Sequence, residues 1–217
     1  MRPDLGRSIL TVHLEDALEK GICPICFLCN EAEYRYLDLL LYESINDEGI
    51  RELLRKSRGF CTYHTYRMIE VGGYGIHAKL ALLYRDLLNT AAREVEGIDP
   101  RAGRVTTPAV DCPTCRIIQD TVDRFAPVLA RRLKDGHFRE HYKRATGLCM
   151  RHFYPVFAAS NGHTRTFLKE DQLERLRGLS AELAEFVRKG IERTEPFGEE
   201  RDSWIRGVQL YAGRLKR

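Results

Sequence analysis

Several absences narrow the reading of this chain before any motif is considered. No stretch reaches the roughly 18 consecutive apolar residues that a spanning helix needs. The opening Met1-Arg2-Pro3-Asp4-Leu5-Gly6-Arg7-Ser8 has no apolar core of signal-peptide length. No membrane association is expected, and the expected compartment is the cytoplasm. Charge of one sign is also lacking: 35 Lys and Arg face 31 Asp and Glu, and a net +4 does not by itself predict a nucleic-acid partner. No segment alternates apolar and polar residues with a period of two, which removes the main signature of strands. The run Gly72-Gly73-Tyr74-Gly75-Ile76-His77-Ala78-Lys79 lacks the Gly-Lys-Ser/Thr ending of a phosphate loop and follows a helical pattern, so it reads as a hinge.

Cysteine, by contrast, is organised. Of seven cysteines, six fall in short repeated pieces. Cys23-Pro24-Ile25-Cys26 is followed by Gly59-Phe60-Cys61-Thr62-Tyr63-His64. The same two pieces return as Cys112-Pro113-Thr114-Cys115 and Gly147-Leu148-Cys149-Met150-Arg151-His152, with 34 residues between Cys26 and Cys61 in the first copy and 33 between Cys115 and Cys149 in the second. The match extends to Arg51-Glu52, which falls on Arg139-Glu140. An internal duplication explains this register. In a reducing compartment such pieces are metal ligands rather than disulfide partners.

The expected fold is all-α, with two pseudo-repeated helical units, each carrying a CPxC/CxxH knuckle, plus C-terminal helices. Ile9 to Lys20 has helical apolar spacing and stops at Gly21. A second helix spans Asn30 to Glu43 and a short third Ile50 to Ser57. A long run from His64 to about Glu96 is broken at the glycines, because glycine inside a helix costs about 1 kcal/mol. The second half repeats the plan with Arg116 to Leu133, where Pro127 predicts a kink, and Phe138 to Arg144. Leu168 to Glu195 is amphipathic, and Ser203 to Leu215 makes a last helix. The boundaries follow: 1–97 for the first repeat, 98–110 for a Pro- and Gly-containing linker, 111–165 for the second repeat, and 166–217 for C-terminal helices packing on both.

Structural zinc sites use tetrahedral sets of thiolates and imidazole from two short knuckles far apart in sequence. The expected ligands are Cys23, Cys26, Cys61 and His64 for one Zn²⁺ ion, and Cys112, Cys115, Cys149 and His152 for a second. Each set pairs a CPxC with the CxxH that follows it. Three thiolates and a neutral imidazole leave a formal charge of −1 around Zn²⁺, which Arg58, Arg116 and Arg151 are placed to offset. An iron–sulfur cluster on the same ligands is the competing reading, since Cys29 extends the first piece to CxxCxxC. Ile118 stands in its place in the second copy, which favours a core role for Cys29. Four protein ligands leave no position for water, so the sites lean away from catalysis. His137-Phe138-Arg139-Glu140-His141 matches the H-x-x-E-H pattern of inverted zinc peptidases, but it lies outside the repeated design and reads as two histidines on a short helix. His13, His77 and His163 are solitary.

At its Cys and His pieces the chain resembles a family of uncharacterised bacterial and archaeal proteins, a domain of unknown function with paired CPxC and G-[FL]-C-x-x-H elements. The likeness covers roughly residues 9 to 157. It implies metal binding and nothing about a substrate. The expected function is therefore a zinc-binding helical module that meets a protein partner or a second copy of itself. Redox or electron transfer through iron–sulfur centres is one alternative. Nucleic-acid binding through Arg131, Arg132, Lys134, Arg139, Lys143, Arg144 and Arg151 is the other.

Overall fold

The computed structural model describes residues 8–101, 103, 109–192 and 195–214, with the side chain of Tyr74 left aside. Among the described residues there are ten α-helices and no strand, as the absence of a period-two pattern predicts. They are α1 (Ile9–Leu18), α2 (Pro24–Leu39), α3 (Glu48–Ser57), α4 (Thr62–Gly72), α5 (His77–Glu96), α6 (Pro113–Arg132), α7 (Gly136–Arg144), α8 (Met150–Ala158), α9 (Gly162–Glu192) and α10 (Ser203–Ala212). None is long and apolar enough to cross a membrane.

Two compact units result. One is made of Met1–Asn30 and Asp120–Arg217, the other of Glu31–Gln119. The first unit holds α1, α7, α8, α9 and α10, and the second holds α3, α4 and α5. Helices α2 and α6 each begin in one unit and end in the other. Of the expected linker 98–110, residues 102 and 104–108 lie outside the described residues, as does Leu215 at the end of the last expected helix.

Within the inner unit the apolar stripe of α2 continues into a π-helical turn, Leu40–Ser44, and buries Leu37, Leu40, Leu41 and Ile45 against Leu54, Met68, Ile76 and Leu83. Each such Leu or Ile contributes about 1.5–3 kcal/mol by leaving water. Helix α3 starts at Asp47, whose carboxylate accepts the Ile50 N–H at 2.9 Å. It stops where Arg58 and Gly59 turn left-handed, at φ 61° and 78°, and the Gly59 N–H reaches the Leu54 carbonyl at 2.7 Å. The expected break in the next helical run is a 3-10 turn, Gly73–Ile76, which links α4 to α5.

In the outer unit the same devices recur. Asp135 caps α7 by accepting the Phe138 N–H at 2.8 Å, and Gly147 takes φ 78° ahead of α8. Here the C-terminal carbonyls of α7 have an unusual partner. Arg175 of α9 donates to the carbonyls of Ala145 at 2.8 Å and Lys143 at 2.9 Å, while Asp171 fixes its guanidinium at 2.8 Å. Its position explains the glycine next door: a Cβ on Gly147 would meet Arg175 Nε at 2.6 Å. Helices α9 and α10 approach closely at Gly207, where a Cβ would lie 3.2 Å from Leu183 Cδ1.

The two glycines near Arg175 should therefore respond oppositely to alanine. Gly147→Ala is expected to lose about 1–3 kcal/mol, from left-handed strain and displacement of Arg175. Gly178→Ala, in mid-helix with nothing within 4 Å of the added carbon, should gain about 0.5–1 kcal/mol. Urea unfolding of the two variants checks both signs.

Candidate metal centres

All four motifs sit at helix N-termini. Cys23, Cys61, Cys112 and Cys149 each stand immediately before a helix, and the carbonyl of each accepts the first i+4 bond, from Phe27, Thr65, Arg116 and Phe153 at 3.0, 3.0, 3.2 and 2.8 Å. The second ligand of each motif falls three residues on, in the first helical turn. Cap and third helical position are the geometry in which a capping side chain meets the N3 amide, so the two side chains converge on one point. In the CPxC pieces the proline takes the first helical position, where its missing N–H costs nothing and its fixed φ is already helical.

Two groups of four ligand atoms gather, each with all atoms within 4.8 Å of one another: Cys23, Cys26, Cys149 and His152, and Cys61, His64, Cys112 and Cys115. All eight expected side chains are used. The pairing corrects the expectation. The first CPxC meets the last CxxH, and the two inner pieces meet each other, so Cys26 lies with His152 rather than His64, and Cys115 with His64 rather than His152. Matched spacing within each copy suggests the other arrangement, but spacing constrains only the two ligands inside a knuckle. Which knuckles meet is decided by helix packing, and the inner four belong to one unit while the outer four belong to the other.

In the outer cluster His152 Nδ1 lies 3.5 Å from Cys23 Sγ, 3.3 Å from Cys26 Sγ and 3.3 Å from Cys149 Sγ, and the sulfurs of Cys26 and Cys149 are 3.6 Å apart. The three cysteines are buried. The end of α10 closes over them, for a Cβ on Gly213 would sit 3.0 Å from Cys26 Sγ and 3.4 Å from Cys149 Sγ. Asn30 holds that segment by donating to the Arg214 carbonyl at 3.0 Å. Cys29 is not among the four ligand atoms, but its thiol hydrogen-bonds to His152 from outside the group.

The inner cluster has the same donors and different surroundings. His64 Nδ1 lies 3.1 Å from Cys61 Sγ, 3.3 Å from Cys112 Sγ and 3.4 Å from Cys115 Sγ. Cys61 and Cys115 are separated by 3.8 Å. On the far side of the ring, Nε2 faces Glu33 Oε1 at 3.2 Å, and Glu33 is in turn approached by Arg67 at 3.5 Å. Both Glu33 and His64 are buried. This is the carboxylate–histidine arrangement that fixes which ring nitrogen is free to ligate. Glu33 and Arg67 were not singled out from sequence. The available signal was a glutamate and an arginine placed within the apolar positions of α2 and α4.

The titratable donors of the two clusters are shifted unequally. Burial works against a charged ring at both histidines, yet Cys112 and Glu33, as acceptors for the protonated ring, carry His64 up to about 10, and Cys149 and Cys26 carry His152 up to about 11. Burial opposes ionisation of Cys112, but His64 and the backbone amides of Cys61 and Cys115 bring it down to about 6. Cys115 is pushed up to about 12, by burial and by the charge on Cys112. Hydrogen bonds with Cys23 and Cys26 hold Cys149 far below the ordinary thiol range, and burial raises Cys23. Each cluster thus gathers donors whose remaining protons a bound cation would displace.

The remaining sequence candidates do not gather. Among the described residues His137, Glu140 and His141 join no group of three or more ligating side chains, and Glu140 pairs with Lys143 at 3.1 Å. Arg58 and Arg116 are engaged by Glu94 and Asp111 rather than left facing a cluster. Within the basic run, Arg132 pairs with Glu15 at 3.0 Å, and Arg139 donates to the Leu133 carbonyl at 3.1 Å.

An all-helical protein with two Cys₃His clusters, each able to hold a metal ion, is the class that fold and site define. Residues 5–217 match the family model described as Family of unknown function (DUF6062), and the chain belongs to that family. Over 68 residues it is 37% identical to an uncharacterised 23.9 kDa protein of the xynA 3' region in Caldicellulosiruptor sp. (strain Rt8B.4). That stretch is 31% of this chain and 32% of the other, so the match spans about a third of the relative's length. No solved structure matches the chain.

The crossed pairing has a measurable consequence. Stability losses from Cys26→Ala and His152→Ala should be non-additive by more than about 1 kcal/mol, whereas Cys26→Ala and His64→Ala should add to within about 0.5 kcal/mol. Thermal unfolding of the two double-mutant cycles distinguishes the arrangements.

Proposed function

We propose that this protein is a non-enzymatic helical module in which two structural Zn²⁺ ions, one per cluster, pin helix N-termini together. The supporting observation is the closeness of each four-donor set. A tetrahedral Zn²⁺ with bonds of about 2.3 Å to sulfur and about 2.0 Å to nitrogen requires S–S edges of about 3.8 Å and S–N edges of about 3.5 Å. The S–S separations of 3.6 and 3.8 Å and S–N separations of 3.1–3.5 Å fit that polyhedron around one ion. An iron–sulfur cluster holds its ligands on different irons and needs them spread around a multi-atom core, a demand that donors all within 4.8 Å do not favour. Four protein ligands also leave no open position for a substrate or water.

Two surfaces support an interaction role over a catalytic one. Trp204, Val208 and Tyr211 are exposed along one side of α10, and Tyr63, Tyr66 and Ile69 are exposed on α4; apolar groups in such numbers are typical of docking faces. The paired state of Arg132, Arg139 and Lys143 counts against nucleic acid. The common plan of the two halves, with an Asp-capped short helix ahead of each CxxH helix, is consistent with a duplicated ancestor whose knuckles exchanged partners.

Freshly purified protein should contain two zinc ions per chain by elemental analysis and be colourless. Chelation should unfold it, because metal affinity of this kind is folding free energy. A cooperative, helical metal-free protein would refute the structural role, and visible absorbance before air exposure would refute zinc. Glu33→Gln should weaken zinc at the inner cluster by about 10-fold or more and leave the outer one unchanged. Competition with a chromogenic chelator reads the two affinities separately.

A further inference from the structure

We propose that Cys61 and Cys115 form an oxidisable dithiol that takes a hydroperoxide as its substrate and releases the inner cluster's metal, while the outer cluster is inert to the same reagent. The inference rests on the reading of the clusters as metal sites. Both have three sulfurs and one Nδ1 at like distances, and they differ in how far solvent reaches those sulfurs. Cys23, Cys26 and Cys149 are 5%, 5% and 1% exposed, under the segment of Gly213 and Arg214. In the inner cluster Cys112 is 4% exposed, but Cys61 is only half-buried and Cys115 is open to solvent. Susceptibility of a thiolate to oxidation follows its exposure, and the two accessible sulfurs are neighbours at 3.8 Å.

The step balances with hydrogen peroxide, the simplest such substrate, as sole oxidant; an organic hydroperoxide would release an alkoxide in place of the first hydroxide. The Cys115 thiolate attacks one peroxide oxygen, the O–O bond breaks, and a sulfenic acid forms while hydroxide leaves. The Cys61 thiolate then attacks the sulfenic sulfur, the S–S bond forms and a second hydroxide leaves. Two thiolates are oxidised to a disulfide, the peroxide is reduced, and two protons from solvent complete two waters. The metal departs as the divalent cation with its oxidation state unchanged. Closing the sulfurs from 3.8 Å to about 2.05 Å uses both electron pairs that would bind the ion, so Cys112 and His64 alone remain and retention fails.

The test treats the zinc-loaded full chain with hydrogen peroxide, follows released zinc with a chromogenic dye, and maps disulfides by peptide mass spectrometry. One of two equivalents should leave at least about tenfold faster than the other, together with a Cys61–Cys115 disulfide, and thiol reductant plus zinc should restore it. Cys115→His, which keeps four donors but removes the dithiol, should abolish the fast phase. Equal release of both equivalents, earlier loss from the outer cluster, no release, or a disulfide elsewhere would overturn the proposal. If Cys115→His does not load with zinc, disulfide mapping of the unaltered chain still decides. Fewer than two zinc ions before treatment would instead overturn the underlying metal reading.

Discussion

The structure depends on bringing helix N-termini face to face. At the outer cluster α2 meets α8, and at the inner cluster α4 meets α6, each through its first turn. An N-terminus carries unsatisfied N–H groups and roughly half a positive charge, so two of them opposed repel unless something negative lies between. A set of three thiolates and a neutral imidazole around a divalent cation has a formal charge of −1 and supplies that centre. Cys112, whose thiolate accepts the amides of Cys61 and Cys115, makes the connection explicit. Cysteine stands at the cap position ahead of these four helices, placed to ligate a metal ion, whereas Asp47 and Asp135 cap α3 and α7 through hydrogen bonds.

The nesting of the clusters follows from how little it costs. Cys26 and Cys149 are 123 positions apart, and His64 and Cys112 are 48. Closing these loops in place of the in-copy ones raises the entropic cost by about 1.4 kcal/mol at most, because the penalty grows only with the logarithm of loop length. A structural zinc site yields about 10–16 kcal/mol, and a few buried leucines outweigh the difference. Chain connectivity therefore has almost no vote in which knuckles pair. Helix packing has the deciding one, and in this chain it assigns the inner pieces to the unit that contains α3, α4 and α5 and the outer pieces to the unit that contains α8 and α10.

That asymmetry also marks what was legible in the sequence. Helices were readable because their signals are local: Gly59 and Gly147 ahead of the CxxH pieces, and Leu37, Leu40 and Leu41 on one face; the starts at Pro24 and Pro113 were not, and were expected at Asn30 and Arg116. The eight ligands were readable because an i, i+3 pair of Cys or Cys and His is itself local. Their pairing was not, since it depends on contacts between residues more than 40 positions apart. Glu33 was invisible for the same reason: a glutamate on an apolar face gains meaning only when His64, 31 positions on in the chain, is placed 3.2 Å away. Ile118 at the equivalent position of the second copy marked Cys29 as a core cysteine, and its sulfur is buried and outside the group of four.

The two histidines therefore differ in what stands behind them, and this difference bears on how each cluster would hold an ion. Glu33, itself approached by Arg67 and further linked through Arg67 to Glu70 at 2.8 Å, is a charged, buried brace that raises the basicity of the His64 ring. At His152 the corresponding partner is the Cys29 thiol, a weaker and uncharged one. The outer cluster is thus secured by exclusion of solvent and the inner one by electrostatics. Burial covers the three outer sulfurs alike, while His152 stays partly exposed. Electrostatic bracing acts on one donor and does nothing to cover the sulfur of Cys115, so a buried, charge-braced histidine and an exposed thiol coexist in the same four residues.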